Sequence, residues 1–214
     1  MWAKFDPEEL ATQRGFRKNP ELVWQWYMDR RATALKCLPN PGHRALSWLQ
    51  GQIPQLSLIT QNVDRLHQAA GSRDVIELHG SIHEFKCFDN SHSIELSIVE
   101  ASPDAPPFCP VCQSLVRPDV VWFGEMLPPK AIQAAIRASE TADLFFVIGT
   151  SGMVQPAASL GMTARSRNAK VVVINPDPDS AMPGCTFLQG PSGKILPELM
   201  QLAWGVSGTQ FQVS

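Results

Sequence analysis

The chain has 214 residues and a formal net charge of −2, with 44% hydrophobic and 18% charged side chains. That balance excludes a disordered polar chain and fits one domain, or one domain carrying a small insert. The near-neutral charge excludes a strongly basic nucleic-acid footprint as the main function. The longest apolar runs, at 144–148 and 171–174, fall far short of a membrane-spanning helix. No direct nucleic-acid or membrane partner is therefore expected. The opening MWAKFDPEEL does not read as a secretory signal, and five unevenly spread cysteines fit a reducing cytoplasm better than a disulfide framework.

Taken in chain order, helical patterns run over 20–37, through Leu22, Trp26, Tyr27, Ala32 and Leu35, and over 43–52, through Ala45, Leu46 and Leu49. A strand comes next at 56–60 and a weaker one at 75–78. Residues 87–117 carry several prolines and serines and no strong period, so they read as a loop-rich insert that needs a staple. A weak strand at 119–123 and a helix at 130–138 come after it. Strands at 143–148 and 170–174 are separated by a helix at 156–166, and a helix at 197–204 closes the pattern. Apolar runs without alternation suit strands buried on both faces, and their alternation with helices predicts an α/β fold with a parallel sheet.

In such folds ligands bind beyond the carboxyl ends of the strands. Here those ends carry Gln61-Asn62-Val63-Asp64, Gly149-Thr150-Ser151-Gly152 and Asn175-Pro176-Asp177. A glycine turn can aim backbone N–H groups at an anion, and Asn or Asp can hold ribose hydroxyls, so a nucleotide pocket is one reading. Good turn formation alone is the other. The dinucleotide fingerprint G-x-G-x-x-G is absent. His79, next to Gly80 after a strand, has the side chain for proton transfer near neutrality.

Two further groups stand out. Tyr27 and Arg30 are one helical turn apart, so a phenol donor beside a guanidinium fork can receive a carboxylate; an interfacial Tyr with a solvated Arg is the plain alternative. Cys109 and Cys112 have C-x-x-C spacing, with Cys87 upstream. The position three after Cys87 is Asn90, so a second pair is incomplete, and His92 is the candidate for a fourth zinc ligand. A weakened site or none is the competing reading. Cys37 is expected to be packing, and Cys185 has no assigned role.

The run Thr60-Gln61-Asn62-Val63-Asp64-Arg65-Leu66-His67, continued by Ala70-Gly71-Ser72, resembles the sirtuin motif TQNxDxLHxxAG. Leu78-His79-Gly80 resembles the family's catalytic histidine motif, and Val121-Trp122-Phe123-Gly124-Glu125 its substrate segment. Gly149-Thr150-Ser151, Asn175 and Gly190-Pro191-Ser192 come in family order, and the pattern is most similar to the bacterial CobB and mitochondrial desuccinylase branch. The resemblance implies a Rossmann-like parallel sheet with helices on both faces plus a small zinc-type insert. It makes 1–214 one catalytic domain, with a module near 80–118 and a helical part near 7–53. It implies NAD and zinc as cofactors and acyl-lysine proteins as partners. It implies that His79 is the general base, that Gln61, Asn62, Val63 and Asp64 surround the nicotinamide and its ribose, and that Gly149, Thr150, Ser151, Asn175, Pro176, Asp177 and Ser192 hold the rest of NAD. Val121, Phe123, Gly124 and Glu125 would pair with the peptide by strand addition. Tyr27 and Arg30 match the pair that marks sirtuins active on succinyl- and malonyl-lysine.

The family pattern also opens with a strand and a GAGxS loop, whereas this sequence starts at Met1-Trp2, where a later turn falls; Phe5-Asp6-Pro7 matches the residues after that turn. The expectation is that the first βα unit is missing, either because an internal Met stands as the start or because the chain is an impaired module that binds acyl-lysine or ADP-ribose. ADP-ribosyl transfer from the same pocket is a third reading.

Overall fold

A computed structural model describes residues 7–212, so the expectations for Met1–Asp6 lie outside the described residues. In chain order the elements are α1 (Pro7–Leu10), α2 (Gln13–Lys18), α3 (Pro20–Ala34), α4 (Pro41–Gln50), β1 (Ile59–Thr60), α5 (Leu66–Ala69), β2 (Ile76–Glu77), β3 (Gly80–Cys87), α6 (Leu96–Glu100), β4 (Val116–Val120), α7 (Pro129–Glu140), β5 (Leu144–Ile148), α8 (Leu160–Ser166), β6 (Lys170–Asn175), β7 (Thr186–Gln189) and α9 (Ser192–Trp204). They form two units. The first holds the chain up to Cys37 with 62–64 and 79–128; the second holds 38–61, 65–78 and 129 onward.

In the first unit, side-chain caps start α2 and α3. The Thr12 side chain accepts the Gly15 N–H at 2.9 Å to open α2. Asn19 accepts the Leu22 N–H at 3.1 Å to open α3, with Pro20 in the first turn, where its missing N–H is not needed. Strands β3 and β4 pair antiparallel, with an irregularity between Ser81 and Phe85. That irregularity breaks the period-two pattern, which explains why β3 is not legible in the sequence. The expected strand at 119–123 lies instead at Val116–Val120, because the chain turns after Val121. Phe16, Val23, Trp26, Tyr27, Ile82, Val120 and Trp122 form one core. Trp24, Phe85, Ile94, Val99 and Val116 form another around Cys87 and Cys109. The insert therefore has an apolar core, contrary to its loop-rich reading, because α3 lends it Trp24 and α6 lends it Val99. The Trp24 indole N–H donates to the Pro103 carbonyl at 3.2 Å, and Gln25 Nε2 to the Asp104 carbonyl at 2.6 Å. Cys37 is exposed rather than packed.

The second unit carries the parallel sheet in the order β5–β6–β7, and a separate parallel pair β1–β2. Alternate residues serve opposite faces. Phe146, Ile148, Val172 and Ile174 pack with Ala45 and Leu49 of α4 and Leu196 and Met200 of α9. Phe145, Val147 and Val171 pack with Ala164 of α8. Helices thus cover both faces, as the runs of apolar residues require. Asn40 caps α4 reciprocally: its side chain accepts the His43 N–H, and His43 Nδ1 accepts the Asn40 N–H, both at 3.1 Å. The expected helix at 156–166 splits into a short 3-10 turn at Ala157–Ser159 and α8. The helix expected from Pro197 begins at Ser192 and keeps Pro197 inside, because Leu196 and Met200 bury on either side of it. Among the described residues no helix is long and apolar enough to cross a membrane.

Candidate active site and metal centre

In the second unit the strand ends converge on one hydrogen-bonded set. Asn175 Nδ2 donates to the Thr150 carbonyl at 2.9 Å, and Asn175 Oδ1 accepts the Asp177 N–H at 3.0 Å. Gln61 Nε2 reaches Thr150 Oγ1 at 3.5 Å, and Gly152 N–H donates to the same hydroxyl at 3.2 Å. Gly149 donates to the Ile174 carbonyl and Gly190 to the Asn175 carbonyl, at 2.9 and 3.0 Å. The carboxyl ends of β1, β5, β6 and β7 are thereby tied together in front of α9, whose first residue is Ser192. Gly149 and Gly152 adopt φ of +62° and +68°, and a Cβ on either would meet nothing within 4 Å. The loop is a left-handed backbone turn facing open space, which lets a ligand approach the main chain closely. Ser151 lies exposed between them, and Pro176 accepts from Gln189 Nε2 at 3.3 Å.

In the first unit, Asn62–Asp64 is held through its backbone. Ile82 N–H donates to the Val63 carbonyl at 2.9 Å, and His83 Nε2 lies 3.1 Å from the Asp64 carbonyl. His79 is half-buried in the turn before β3, and its carbonyl accepts the Val121 N–H at 2.9 Å. Gly80 is required there: its φ is +72°, and a Cβ would meet the Asp119 carbonyl oxygen at 2.0 Å. Phe123 donates its N–H to the Ala11 carbonyl at 2.9 Å while its side chain stays half exposed. Gly124 is left-handed with open space at its Cα. Glu125 works inside the loop: Arg117 donates to Oε1 at 2.5 Å and to Oε2 at 3.0 Å, and Oε2 also accepts the Trp122 N–H at 2.9 Å. Burial pushes the Glu125 carboxyl up, but Arg117 and the Trp122 N–H outweigh it and hold it below its usual range. Sequence reasoning missed Arg117; a lone Arg between apolar positions of VRPDV, eight residues before an acid, was the available signal.

Tyr27 is buried, and its hydroxyl oxygen accepts the Trp122 indole N–H at 2.9 Å. Arg30 is exposed and stacks over Trp26 at 4.6 Å. Burial pushes the Tyr27 phenol up to about 12, against the opposing pull of the Trp122 N–H, Arg117 and Arg30. The native chain therefore keeps this proton where the unfolded chain loses it, near its ordinary value of about 10. The associated stability, about 2–3 kcal/mol, is fully present below pH about 10 and is lost as pH rises to about 12. As the only tyrosine, Tyr27 reports this directly. Tyrosinate absorbance is expected to titrate near 12 in native protein and near 10 in denaturant; equal midpoints would refute the burial argument.

The insert brings Cys87, His92, Cys109 and Cys112 together, with their ligand atoms within 4.8 Å of one another. Cys112 Sγ lies 3.6 Å from Cys87 Sγ, and Cys109 Sγ 3.7 Å from His92 Nδ1. A tetrahedral zinc with bonds of about 2.3 Å needs ligand separations of about 3.8 Å, so the four donors fit that ion. His92 fills the place that Asn90 leaves open. Asn90 instead supports Cys112, whose thiol is lowered to about 6, first by the Asn90 side chain; thiolate is the form that binds metal. Four protein donors close the coordination shell, which suits a structural ion.

Comparison with known proteins accords with this geometry. The Sir2 family matches over residues 1–156. NAD-dependent protein deacylase 1 of Pseudomonas aeruginosa is 45% identical, over 95% of this chain and 84% of its own length. A mutant Sir2 homologue in complex with 2′-O-acetyl ADP ribose superposes with a TM-score of 0.85 at 42% identity, covering 94% of this chain and 81% of that one. A Sir2 homologue–NAD complex gives 0.84 at 41% identity, over 94% and 79%. A match over well more than half the chain, with relatives at this identity, shows that the chain belongs to the Sir2 family of sirtuin-type enzymes.

Proposed function

We propose that the chain is an NAD-dependent protein-lysine deacylase that removes acetyl, and also succinyl or malonyl, groups from lysines of cytoplasmic proteins. The observation that carries this reading is the linked set Gln61, Thr150, Asn175 and Asp177 at the strand ends, beside the open left-handed turn at Gly149 and Gly152. When bound, NAD would supply a ribose carbon bearing nicotinamide as leaving group and would take up the acyl group; with one water consumed to free the lysine amine, the products are nicotinamide, O-acyl-ADP-ribose and free lysine.

In this reading Gln61, Asn62, Val63 and Asp64 hold the nicotinamide ribose, and Gly149, Thr150, Ser151, Asn175, Pro176, Asp177 and Ser192 hold the remainder. His79 takes the proton of a ribose hydroxyl, which a neutral imidazole does well near neutral pH. Val121, Phe123 and Gly124 pair with the peptide backbone, while Glu125 keeps that loop in shape. The whole chain acts as one catalytic domain, with a zinc module near 80–118 and a helical part near 7–53. The test is nicotinamide release measured with and without acyl-lysine peptide. Release that depends on the peptide supports the reading; peptide-independent release favours ADP-ribosyl transfer, and none at all favours a binding module.

Tyr27 and Arg30 carry the preference for acidic acyl groups. Among the described residues, Tyr27 Oη has only the Trp122 N–H as a hydrogen-bond partner, and the Arg30 guanidinium stacks on Trp26 with no carboxylate paired to it. Together they offer an O–H and a cation to an incoming carboxylate. Arg30→Met is expected to reduce desuccinylation by about tenfold or more, as for loss of a charge-assisted hydrogen bond, with a much smaller effect on deacetylation. Equal losses of both activities would sink the assignment.

A further inference from the structure

The Tyr27 hydroxyl is nearly sealed, with the residue 3% exposed. An indole nitrogen only donates, so the bond from Trp122 Nε1 at 2.9 Å makes the Tyr27 oxygen an acceptor on that side and turns its own O–H proton away. Among the described residues that proton meets no acceptor. A buried donor left without an acceptor is costly, and it points to a ligand that completes the bond.

Trp122 is itself held from two directions. The Arg117 guanidinium lies 3.3 Å from its ring centroid, and Arg117 is also buried. The Glu125 carboxylate that pairs with Arg117 accepts the Trp122 backbone N–H at 2.9 Å. The indole therefore has little freedom to release the phenol.

We infer that Trp122 is a positioning residue for substrate choice: its indole N–H orients the Tyr27 hydroxyl to donate to a carboxylate-bearing acyl group, and the Arg117–Glu125 pair locks it there. The inference rests on the acidic-acyl reading of Tyr27 and Arg30. An acetyl group brings no carboxylate to this donor, so the device acts on the ratio between substrates. A phenol at its ordinary value of about 10 is already neutral at working pH, as a donor must be, and burial pushes this one further up, to about 12.

The test uses Trp122→Phe, which keeps a ring and removes the N–H. The succinyl-to-acetyl ratio of kcat/KM is expected to fall about tenfold, chiefly through KM for the succinyl peptide, and Trp122→Phe added to Tyr27→Phe is expected to lower the ratio no further. An unchanged ratio, or additive losses in the double variant, overturns the inference. Ring-labelled carbon in the single tyrosine gives one NMR signal. Succinyl-lysine peptide should move that signal in the natural chain and move it less in Trp122→Phe; equal movement in both overturns the role of Trp122. If the natural chain deacetylates but neither turns over the succinyl peptide nor shows a moving signal, the acidic-acyl reading itself fails, and the specificity role with it. Should Trp122→Phe not fold, Tyr27→Phe must displace one of the six Trp indole N–H resonances. No displacement refutes the hydrogen bond on which the inference stands.

Discussion

Metal analysis of the purified chain is expected to return one zinc per molecule, and Cys109→Ser or a strong chelator is expected to unfold the segment 80–118. Cys87 and Cys109 are fully buried between Trp24, Phe85, Ile94, Val99 and Val116. Without an ion, thiols packed at 3.6–3.7 Å from the next donor must either stay protonated in an apolar setting or repel as thiolates. Structural zinc in zinc-finger peptides contributes about 10–16 kcal/mol, comparable to the whole stability of an ordinary domain, which is about 5–15 kcal/mol. Hydrogen exchange should show protection lost over 80–118 and over the α3 residues that pack against it. His92→Ala should lower zinc affinity while leaving three ligands in place. A folded chain with zinc stoichiometry near zero would refute the assignment.

His79→Asn is expected to lower deacylation about a hundred- to ten-thousandfold, the range for losing a general base, while leaving the fold intact. The backbone at this point is fixed independently of the imidazole: the His79 carbonyl takes the Val121 N–H, and Gly80 is wedged against the Asp119 carbonyl. Substitution at 79 therefore removes chemistry without removing these bonds. The check is single-turnover deacylation beside equilibrium binding of acyl-peptide. Full turnover in the variant would show that another group takes the proton.

Much of the fold was legible in the sequence, for physical reasons that differ by region. The strands 144–148 and 170–175 are continuous apolar runs with helices packed on both faces, so their composition alone identifies them, although Leu144 at the start of the first stays exposed. Helix α3 announces itself through Asn19-Pro20, and the same pairing at Asn40-Pro41 marks a start for α4 that apolar spacing places two residues late. The strand-end residues were readable because turns at those places need Gly, Asn and Asp. The pairing of β3 with β4 was not, since the irregularity after Ser81 removes the alternation and Arg117 and Pro118 disguise β4 as a loop. Nor was the role of Glu125, which needs its partner Arg117 to be seen. His92 was readable only as the candidate fourth ligand, since nothing in its spacing ties it to the cysteines; it is the fold that brings it to the three of them.

The division into two units has a consequence for synthesis. The first unit draws on no residue beyond 128, whereas the second needs β5, β6, β7 and α9 from the last third of the chain. Emerging from the ribosome, the chain can close the first unit and load its metal while much of the sheet is still unmade, since folding proceeds by units from the N-terminal side. The segments 38–61 and 65–78 must then wait, with their apolar faces uncovered, until the remaining 86 residues from Pro129 to Ser214 arrive. Slow translation beyond residue 128 would prolong that exposure, which makes the nascent second unit the natural point of chaperone engagement.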